Sequence, residues 1–298
     1  MKYVIVIPAK NEEETLSKTL DSIAAQTIKP VMCVVVDDGS TDKTPEILKD
    51  YSEKYDFITS IRNNSSNKYV VGGHVVNVFY KGKDHADLKG VDYDFIIKLD
   101  ADLTFDSNYM ELIFKKIEGK EKIGIVSGTP YYIDNGKKIY EYSPKWHSHG
   151  QFKVYNKKCL EDIGGVIRLL GWDCADNVQA IEKGWHTEAY RDIYYQMYRK
   201  VGGKSSLKRG RIKHGMGAYN LGYSFPYLVM KLVHDLFKPP YIIGTFYYLH
   251  GYMKSFFIKH ENKLTRNQKK ILRKLYWQSF SERFKDRRFI LFQLFSKK

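Results

Sequence analysis

Short apolar runs alternate with amphipathic stretches at the start of the chain. The runs at 3–8, 31–36 and 57–61 have the length of strands that are buried on both faces. Between them, residues 16–24 and 44–55 place apolar side chains at helical spacing. Because strands alternating with helices are typical of parallel α/β sheets, the pattern predicts that architecture.

Capping residues place the starts of the first two helices. Asn11 with Glu14 resembles a capping box, and Thr44 followed by Pro45 fits the first positions of a second helix. The stretch 62–93 carries no clear pattern. Beyond it we expect a helix after Ser107, a hairpin about Asn135-Gly136, a short helix at 157–163, a helix that follows 171–177, and a strand at 187–195.

A fourth apolar run, Phe95–Leu99, is followed at once by two aspartates, Asp100 and Asp102. Side chains two apart point the same way along a strand, so these carboxylates converge if the extended geometry continues. Paired carboxylates with substrate phosphates suit Mg²⁺ or Mn²⁺. The alternative is a solvated turn after a buried strand.

Polar, small or acidic residues follow three of the predicted strands. These segments are 9–12, 37–40 and 100–102. Ligands of parallel α/β sheets bind beyond the carboxyl ends of the strands. The recurrence therefore predicts a binding site at this edge of the sheet.

Composition indicates a globular intracellular protein. The chain has 298 residues, 43% of them hydrophobic, and only three cysteines, which are not in metal-binding spacing. No signal peptide pattern opens it, and no apolar stretch reaches the ~20 residues that span a bilayer. We therefore expect a reduced, cytoplasmic setting.

Charge divides the chain into two unequal parts. Residues 1–200 carry 28 Lys and Arg against 30 Asp and Glu, whereas residues 201–298 carry 21 against 4. Such asymmetry indicates a polyanionic partner, which is a nucleic acid, an acidic membrane surface or an anionic substrate.

The basic part is also rich in aromatic and aliphatic residues. Segments 223–237 and 241–258, separated by Pro239-Pro240, and segment 289–295 are more apolar than a phosphate-binding surface requires. We predict interfacial or packed helices and attachment to an anionic membrane at its cytoplasmic face, with nucleic acid the less favoured partner. The alternative is a helical subdomain with an exposed basic face. The predicted division is 1–204 and 205–298.

Four motifs give the chain a family resemblance. They are Val-Ile-Pro-Ala-Lys-Asn-Glu-Glu at 6–13, Val-Val-Asp-Asp-Gly-Ser-Thr-Asp at 35–42, Lys-Leu-Asp-Ala-Asp at 98–102 and Gly-Trp-Asp-Cys-Ala-Asp at 171–176. With these motifs the chain resembles the family 2 glycosyltransferases of GT-A fold over residues 3–200. The resemblance implies an α/β fold with a Rossmann-like, mostly parallel central sheet flanked by helices, here followed by the basic, aromatic-rich helical extension.

The resemblance also implies how a nucleotide-sugar donor is held. Pro8, Ala9, Asn11 and Glu12 would frame the nucleotide, and Asp38 would accept a hydrogen bond from the base. A carboxylate there favours uracil, guanine or thymine, and so a UDP-, GDP- or dTDP-linked sugar. For Glu12 the alternative is a carboxylate that interacts with a helix dipole. Alternation points the neighbouring Asp37 away, so we expect it to support the turn.

Metal and base roles follow from the same resemblance. Asp102 would contact Mg²⁺ or Mn²⁺ directly, with Asp100 beside it and nearer the ribose. We expect Lys98 to be a solvated residue. Asp176 would be the base that deprotonates the acceptor of an inverting transfer, with Asp173 as the competing candidate. Either aspartate could instead be a helix N-cap.

Further residues carry weaker signals. Arg211 and His214 lie where some relatives contact the diphosphate or metal, and Trp172 is either an acceptor platform or a core residue. Gln196-x-x-Arg199 resembles a motif of processive synthases but lacks its tryptophan, which favours a single transfer.

The sequence therefore predicts a metal-dependent transfer of one sugar from a nucleotide donor to a saccharide or lipid-linked acceptor. The alternative is a catalytically silent module of the same fold whose basic tail binds membrane or RNA. A nucleotidyltransferase is disfavoured because no Gly-rich, Arg-containing loop follows the first strand.

Overall fold

The computed structural model describes residues 1–63, 73–199, 207–236, 241–258 and 264–285. The strands are β1 Tyr3–Ala9, β2 Met32–Asp37, β3 Ile58–Arg62, β4 Phe95–Leu99, β5 Leu103–Phe105, β6 Ile123–Asp134, β7 Lys137–Tyr140, β8 Phe152–Asn156 and β9 His186–Met197. The helices are α1 Leu16–Ala24, α2 Thr44–Lys54, α3 His74–Leu88, α4 Tyr109–Ile117, α5 Lys157–Asp162, α6 Trp172–Glu182, α7 Leu207–Asn220, α8 Phe225–Leu236, α9 Tyr241–Phe257 and α10 Arg266–Lys285.

The strands form one mixed sheet in the order β3-β2-β1-β4-β8-β6-β9-β5, with β7 paired to β6. Its first four strands are parallel, as the alternating pattern predicted, and β8 then runs antiparallel to both β4 and β6. Ala9 pairs with Asp37 in register, so the carboxyl ends of β1 and β2 lie side by side. The segments that carry the motifs therefore leave the sheet at one edge.

Strand alternation divides the core between the two faces of the sheet. Ile5 and Ile7 of β1 pack in one cluster with Leu16 and Leu20 of α1. Val4 and Val6 point to the opposite face, where they pack with side chains of α3. Each fully buried aliphatic side chain of this kind contributes about 1.5–3 kcal/mol. The α3 helix lies in the stretch for which the pattern gave no assignment. It contains several β-branched residues, which disfavour helices, and the burial of one of its faces against the sheet accounts for its formation.

Local signals were correct at the hairpin and wrong at the first helix. Asn135 and Gly136 have φ of 49° and 75° and join β6 to β7, as a two-residue Asn-Gly turn requires. The predicted cap at Asn11 does not form, since α1 begins only at Leu16. Asn11 instead has φ of 52°, in the left-handed region that Asn tolerates.

The chain after 206 forms the helices α7 to α10. The α10 helix packs on α6 through a cluster that includes Leu264, Leu272 and Val178. The predicted boundary at 204/205, Pro239-Pro240 and the segment 289–295 lie outside the described residues. Among the described helices, none combines the length and apolarity needed to cross a bilayer.

Candidate active site

The loops that follow β1 and β2 are bound to each other. Asn11 donates its backbone N–H to Ser40 Oγ at 2.9 Å, and its side-chain oxygen accepts from the N–H of Thr41 at 2.9 Å. The N–H of Glu12 donates to Thr44 Oγ1 at 2.8 Å. Sequence motifs 29 to 32 residues apart thus form one polar surface.

The two aspartates at the end of β2 have different surroundings. Asp37 accepts from the N–H of Ser40 at 2.8 Å and pairs with Arg62, so it supports the turn as expected. Asp38 accepts from Asn63 Nδ2 at 2.6 Å and lies beside His74 Nε2. The structure therefore places Asp38 in a polar pocket beside Ala9, whose carbonyl accepts the Asp38 N–H at 2.8 Å.

Arg199 joins the β1 loop to the aspartates after β4. Its guanidinium lies 2.5 Å from Glu12 Oε2 and 3.7 Å from Asp102 Oδ2. Glu12 is thus an ion-pair partner, and α1 begins four residues later. The contact connects the ends of β1 and β4, and the hydrogen bonds between the β1 and β2 loops add the third of the predicted strand ends.

Asp102 has an environment suited to a cation. Burial, together with the charges of Asp100 and Glu12, raises its pKa to about 6 against the attraction of Arg199. The described residues contain no group of three His, Cys, Asp or Glu side chains placed to hold a metal by themselves. Two neighbouring carboxylates fit a divalent ion whose other ligands are phosphate oxygens and water.

Lys98 is buried, contrary to the expectation of a solvated residue. Its side chain is 5% exposed, and its ammonium contacts Asp100 Oδ1 and donates to the Gly150 carbonyl at 2.9 Å. Asp100, 33% exposed, is therefore held through one oxygen by the Lys98 ammonium. Burial of a lysine is tolerated because the ion pair offsets part of the desolvation cost.

A second buried lysine lies beside the first, on the neighbouring strand of the sheet. Lys153 of β8 is the Cα partner of Lys98 in β4, and both ammonium groups lie 5.4 Å from the centre of the Trp172 ring. Trp172 is the first residue of α6 and packs against the core, which agrees with its reading as a core residue. The two lysines therefore anchor α6 to the site.

Asp176 is sealed inside the protein. Its side chain is 0% exposed and lies 2.6 Å from Lys153 Nζ, and it accepts from Tyr155 Oη at 2.6 Å. Burial raises its pKa, and the charge of Lys153 opposes the effect. Both carboxylate oxygens are thus engaged within the protein, and α6 begins before this residue, so it is not an N-cap.

Asp173 lies on the same helix but is 40% exposed. Although burial acts in the opposite direction, the positive potential of His147, Lys153 and His214 lowers its pKa. His147 Nε2 is 3.9 Å from Asp173 Oδ2. An ionised, accessible carboxylate is what a general base requires.

Two histidines and the start of the extension surround this aspartate. His147 and His149 have stacked rings, and burial lowers the pKa of His149 to about 3. His214 of α7 contributes to the positive potential at Asp173, whereas Arg211 pairs with Asp235 at 3.3 Å. The structure thus brings His214 towards the candidate base and engages Arg211 within the extension.

Sequence reasoning missed the roles of Lys153, Arg199 and His149. Alternation along Phe152–Asn156 placed Lys153 on the face of Tyr155, which was a usable signal. Pro8, the remaining residue of the predicted site, pairs with Val36 and precedes the loop without a polar side chain. No local pattern indicated that Arg199 contacts a residue 187 positions away.

The sheet order and the position of the acidic loop fit the GT-A fold. The model of glycosyl transferase family 2 matches residues 4–169, which is more than half of the chain. The chain therefore belongs to glycosyl transferase family 2.

Curated relatives match about half of the chain. The 4,4'-diaponeurosporenoate glycosyltransferase of Staphylococcus haemolyticus is 29% identical over 154 residues, and glycosyltransferase GlyA of Streptococcus pneumoniae is 32% identical over 155 residues. These matches cover 50% and 52% of this chain but only 36% and 20% of the relatives. The similarity thus concerns one part of longer proteins.

Solved structures share the fold at low sequence identity. Mannosyltransferase PcManGT from Pyrobaculum calidifontis, in complex with GDP-Man and Mn²⁺, has a TM-score of 0.55 at 16% identity and covers 96% of this chain and 75% of its own. TarS 1-349 from S. aureus, in complex with UDP-GlcNAc, has a TM-score of 0.54 at 18% identity, with coverage of 80% and 71%. Both similarities support the predicted GT-A architecture.

Proposed function

We propose that the protein transfers a single sugar from a nucleotide-sugar donor to an acceptor hydroxyl with inversion at the anomeric carbon. The observation that carries the proposal is the contact of Arg199 with both Glu12 and Asp102, which joins the loop after β1 to the loop after β4. We call the segments 9–12, 37–40 and 100–102 the polar rim. Family membership supports the reaction class.

The donor lies along this rim. Pro8, Ala9, Asn11 and Glu12 frame the nucleotide, and Asp38 accepts from an N–H of a uracil, guanine or thymine base. Asp102 and Asp100 would hold Mg²⁺ or Mn²⁺ together with the diphosphate. When bound, the ion supplies positive charge that stabilises the departing nucleoside diphosphate. The GDP-Man and Mn²⁺ bound to the archaeal neighbour support this assignment.

Asp173 deprotonates the acceptor. Asp176 positions Asp173 through Lys153, whose ammonium contacts both residues. The acceptor oxygen forms a bond to the anomeric carbon while the bond to the phosphate oxygen breaks, so that the electron pair leaves with the nucleoside diphosphate. The acceptor proton passes to the Asp173 carboxylate, which is accessible and kept ionised. Asp176 has no free oxygen for this step, because Lys153 and Tyr155 occupy it.

The acceptor is a saccharide or a lipid-linked saccharide at an anionic membrane surface. The balance of 21 basic to 4 acidic residues after residue 200 supports peripheral attachment at the cytoplasmic face. Residues 205–298 would then form a membrane-attached extension of the catalytic domain 1–204.

Nucleotide-sugar binding and hydrolysis test the proposal. The full chain is screened with UDP-, GDP- and dTDP-sugars, and one of them should raise Tm only with Mn²⁺ or Mg²⁺ and be hydrolysed. Asp102→Asn should lose both responses. Asp92→Asn should keep both, because that carboxylate is 80% exposed and precedes β4 at the opposite edge of the sheet. A shift with RNA alone would instead support the silent module.

A further inference from the structure

The inner face of α9 combines three small residues with one buried tyrosine. Gly244, Gly251 and Ser255 are buried together with Tyr248. A Cβ at Gly251 would lie 2.1 Å from the carbonyl oxygen of Ile212, and one at Gly215 would lie 1.9 Å from that of Tyr248. The helices α7 and α9 therefore touch backbone to backbone, at a distance that only glycine permits.

The outer face of α9 carries large apolar side chains. Ile242, Phe246 and Phe257 are 72%, 66% and 74% exposed, and Met253 lies on the same side of the helix. With 3.6 residues per turn, this stripe points away from Gly251 and its buried neighbours. The helix thus buries its small residues and Tyr248, and it presents several large aliphatic and phenylalanine side chains outward.

The adjacent α8 helix continues this surface. Phe225, Val229, Val233 and Leu236 recur every three or four residues and are 75%, 42%, 50% and 37% exposed. The α8 and α9 helices contact each other. We call the outward stripes of α8 and α9 the apolar face.

This arrangement is the reverse of that found in helices of water-soluble domains. There the apolar stripe packs against the core and polar residues face solvent. Glycine-lined helix contacts with large apolar groups outside are typical of helices surrounded by lipid. Contiguous exposed apolar surface of this kind marks an interaction site.

The charge of the surrounding surface indicates which partner the apolar face binds. On α10, Lys270, Arg273 and Lys274 are exposed, and this helix contacts α8 through the stacked rings of Tyr227 and Tyr276. Residues 201–298 carry a net charge of +17 from 21 basic and 4 acidic residues. Basic residues near an anionic bilayer gain about 1 kcal/mol each. An anionic lipid surface therefore satisfies both the apolar face and its charge.

We propose that the apolar face of α8 and α9 inserts into one leaflet of an anionic bilayer, with the helices lying in the plane of the interface. The α9 helix is 17 residues long, roughly 26 Å, and none of the described helices is suited to cross the bilayer. Insertion of one face requires no such span.

This inference rests on the proposed function only where it concerns the acceptor. The α7 helix packs on α9 through Gly215, and its Gly217 approaches the backbone of Leu170 and Gly171 next to α6. One helix layer thus separates the lipid-facing side of α9 from the helix that carries Asp173. A lipid-linked acceptor held in the same leaflet would have its saccharide delivered to that side of the site.

A depth-sensitive probe tests the insertion. The native cysteines Cys33, Cys159 and Cys174 are buried, so a cysteine in Phe246→Cys can be labelled selectively with the environment-sensitive dye NBD. Vesicles of phosphatidylcholine and phosphatidylglycerol should shift its emission to the blue and raise its intensity. The matched control is Leu88→Cys on α3, where the native side chain is 87% exposed, and it should not respond.

Flotation measures the contribution of the apolar face. The double variant Ile242→Ser/Phe246→Ser should lower the vesicle partition coefficient at least about tenfold, whereas Leu88→Ser should leave it unchanged. No flotation of the wild-type chain, or equal flotation of the double variant, would overturn the proposal. So would a probe at 246 that is already blue-shifted in buffer, since protein, either a second copy or another part of the chain, would then cover the face.

The outcome is separable from that of the proposed reaction. The double variant should retain the metal-dependent thermal shift with the donor nucleotide, because its substitutions lie on the outer side of α9. Vesicle binding without any nucleotide response would leave the insertion standing and count against the transferase reaction. The opposite result would remove the insertion alone.

Discussion

Two pairs of aspartates in this protein use similar residues in opposite ways. Asp100 and Asp102 follow a strand, are 33% and 19% exposed, and lie at the polar rim. Asp173 and Asp176 share the first turns of α6, where the first is 40% exposed and the second is 0% exposed. Both aspartates of the strand-end pair lie at the candidate site. In the helical pair, Asp173 lies at the site and Asp176 lies in the core.

The difference arises from backbone geometry and from the lysine behind each pair. Lys98 contacts Asp100 and leaves Asp102 to Arg199, so both carboxylates stay at the edge of the site. Lys153 holds Asp176 and also donates to the Asp173 carbonyl at 2.6 Å. Lys153 thus fixes the backbone of Asp173 and leaves its carboxylate free for chemistry.

The largest expected effect distinguishes the two members of the helical pair. Asp173→Asn should lower the transfer rate by about 10²–10⁴-fold, because an amide cannot accept the acceptor proton. Donor affinity and Tm should stay the same. Initial rates with saturating donor, together with calorimetric donor titration, measure both quantities.

The matched substitution is Asp176→Asn on the same helix. We expect it to lower stability while the remaining folded protein keeps measurable transfer and donor binding. If Asp176→Asn instead keeps its Tm and loses transfer, whereas Asp173→Asn stays active, the assignment of the base is reversed.

Removing the lysine behind the helical pair should have the next largest effect. Lys153→Met leaves Asp176 charged and unpaired in the core, which typically costs about 3–5 kcal/mol. Urea unfolding monitored by circular dichroism measures the loss. The double variant Lys153→Met/Asp176→Leu should recover part of it, since apolar pairs often replace buried ion pairs without loss. Equal stability of the wild type and the single variant would show that the pair is hydrated in solution.

Part of this organisation could be predicted from the sequence. The parallel strands follow from short apolar runs that alternate with helical stretches, and the Asn135-Gly136 hairpin follows from turn chemistry. The position of Asp100 and Asp102 follows from the apolar run that ends directly before them. The α3 helix could not be read, because its β-branched residues adopt helical geometry only through packing on β1 and β2.

The division within the helical pair required the structure. Motif spacing identified the segment 171–176, but it did not show that α6 begins at Trp172. With the helix starting there, Asp176 faces Lys153 and Tyr155 instead of the cleft. Likewise, the expected cap at Asn11 competed with a longer-range contact to Thr41 that no local pattern reveals.

A smaller effect, of opposite sign, is expected at the strand-end pair. The pKa of Asp102 is raised to about 6, so above pH 6 the folded protein carries its charge at a cost of roughly 1–3 kcal/mol relative to the unfolded chain. Asp102→Asn should therefore stabilise the metal-free protein at pH 7.5. The gain should shrink as the pH falls from 6 towards 4, where the carboxylate becomes protonated in both states.

Thermal unfolding between pH 5 and pH 8 measures this gain, with Asp92→Asn as the control at an exposed carboxylate. A gain that does not depend on pH would mean that it does not arise from the charge of Asp102, and the absence of any gain would mean that Arg199 fully offsets that charge.

The smallest effect is expected at Asn11, in the loop after β1. It tests whether contacts between loops fix the part of the site proposed to bind the donor, as Lys153 fixes the backbone of Asp173. Asn11→Ala loses the hydrogen bond from the Thr41 N–H, and alanine tolerates a φ of 52° less well than asparagine does. We therefore expect the free energy of unfolding to fall by about 1–2 kcal/mol. Asn11→Gly loses the same bond but accepts the backbone geometry, so it should cost less. If Asn11 frames the nucleotide as proposed, both variants should raise KM for the donor more than they lower kcat. A fall in kcat with unchanged KM would show that the β1 loop acts on the chemical step, and the two sides of the site would then not be held independently.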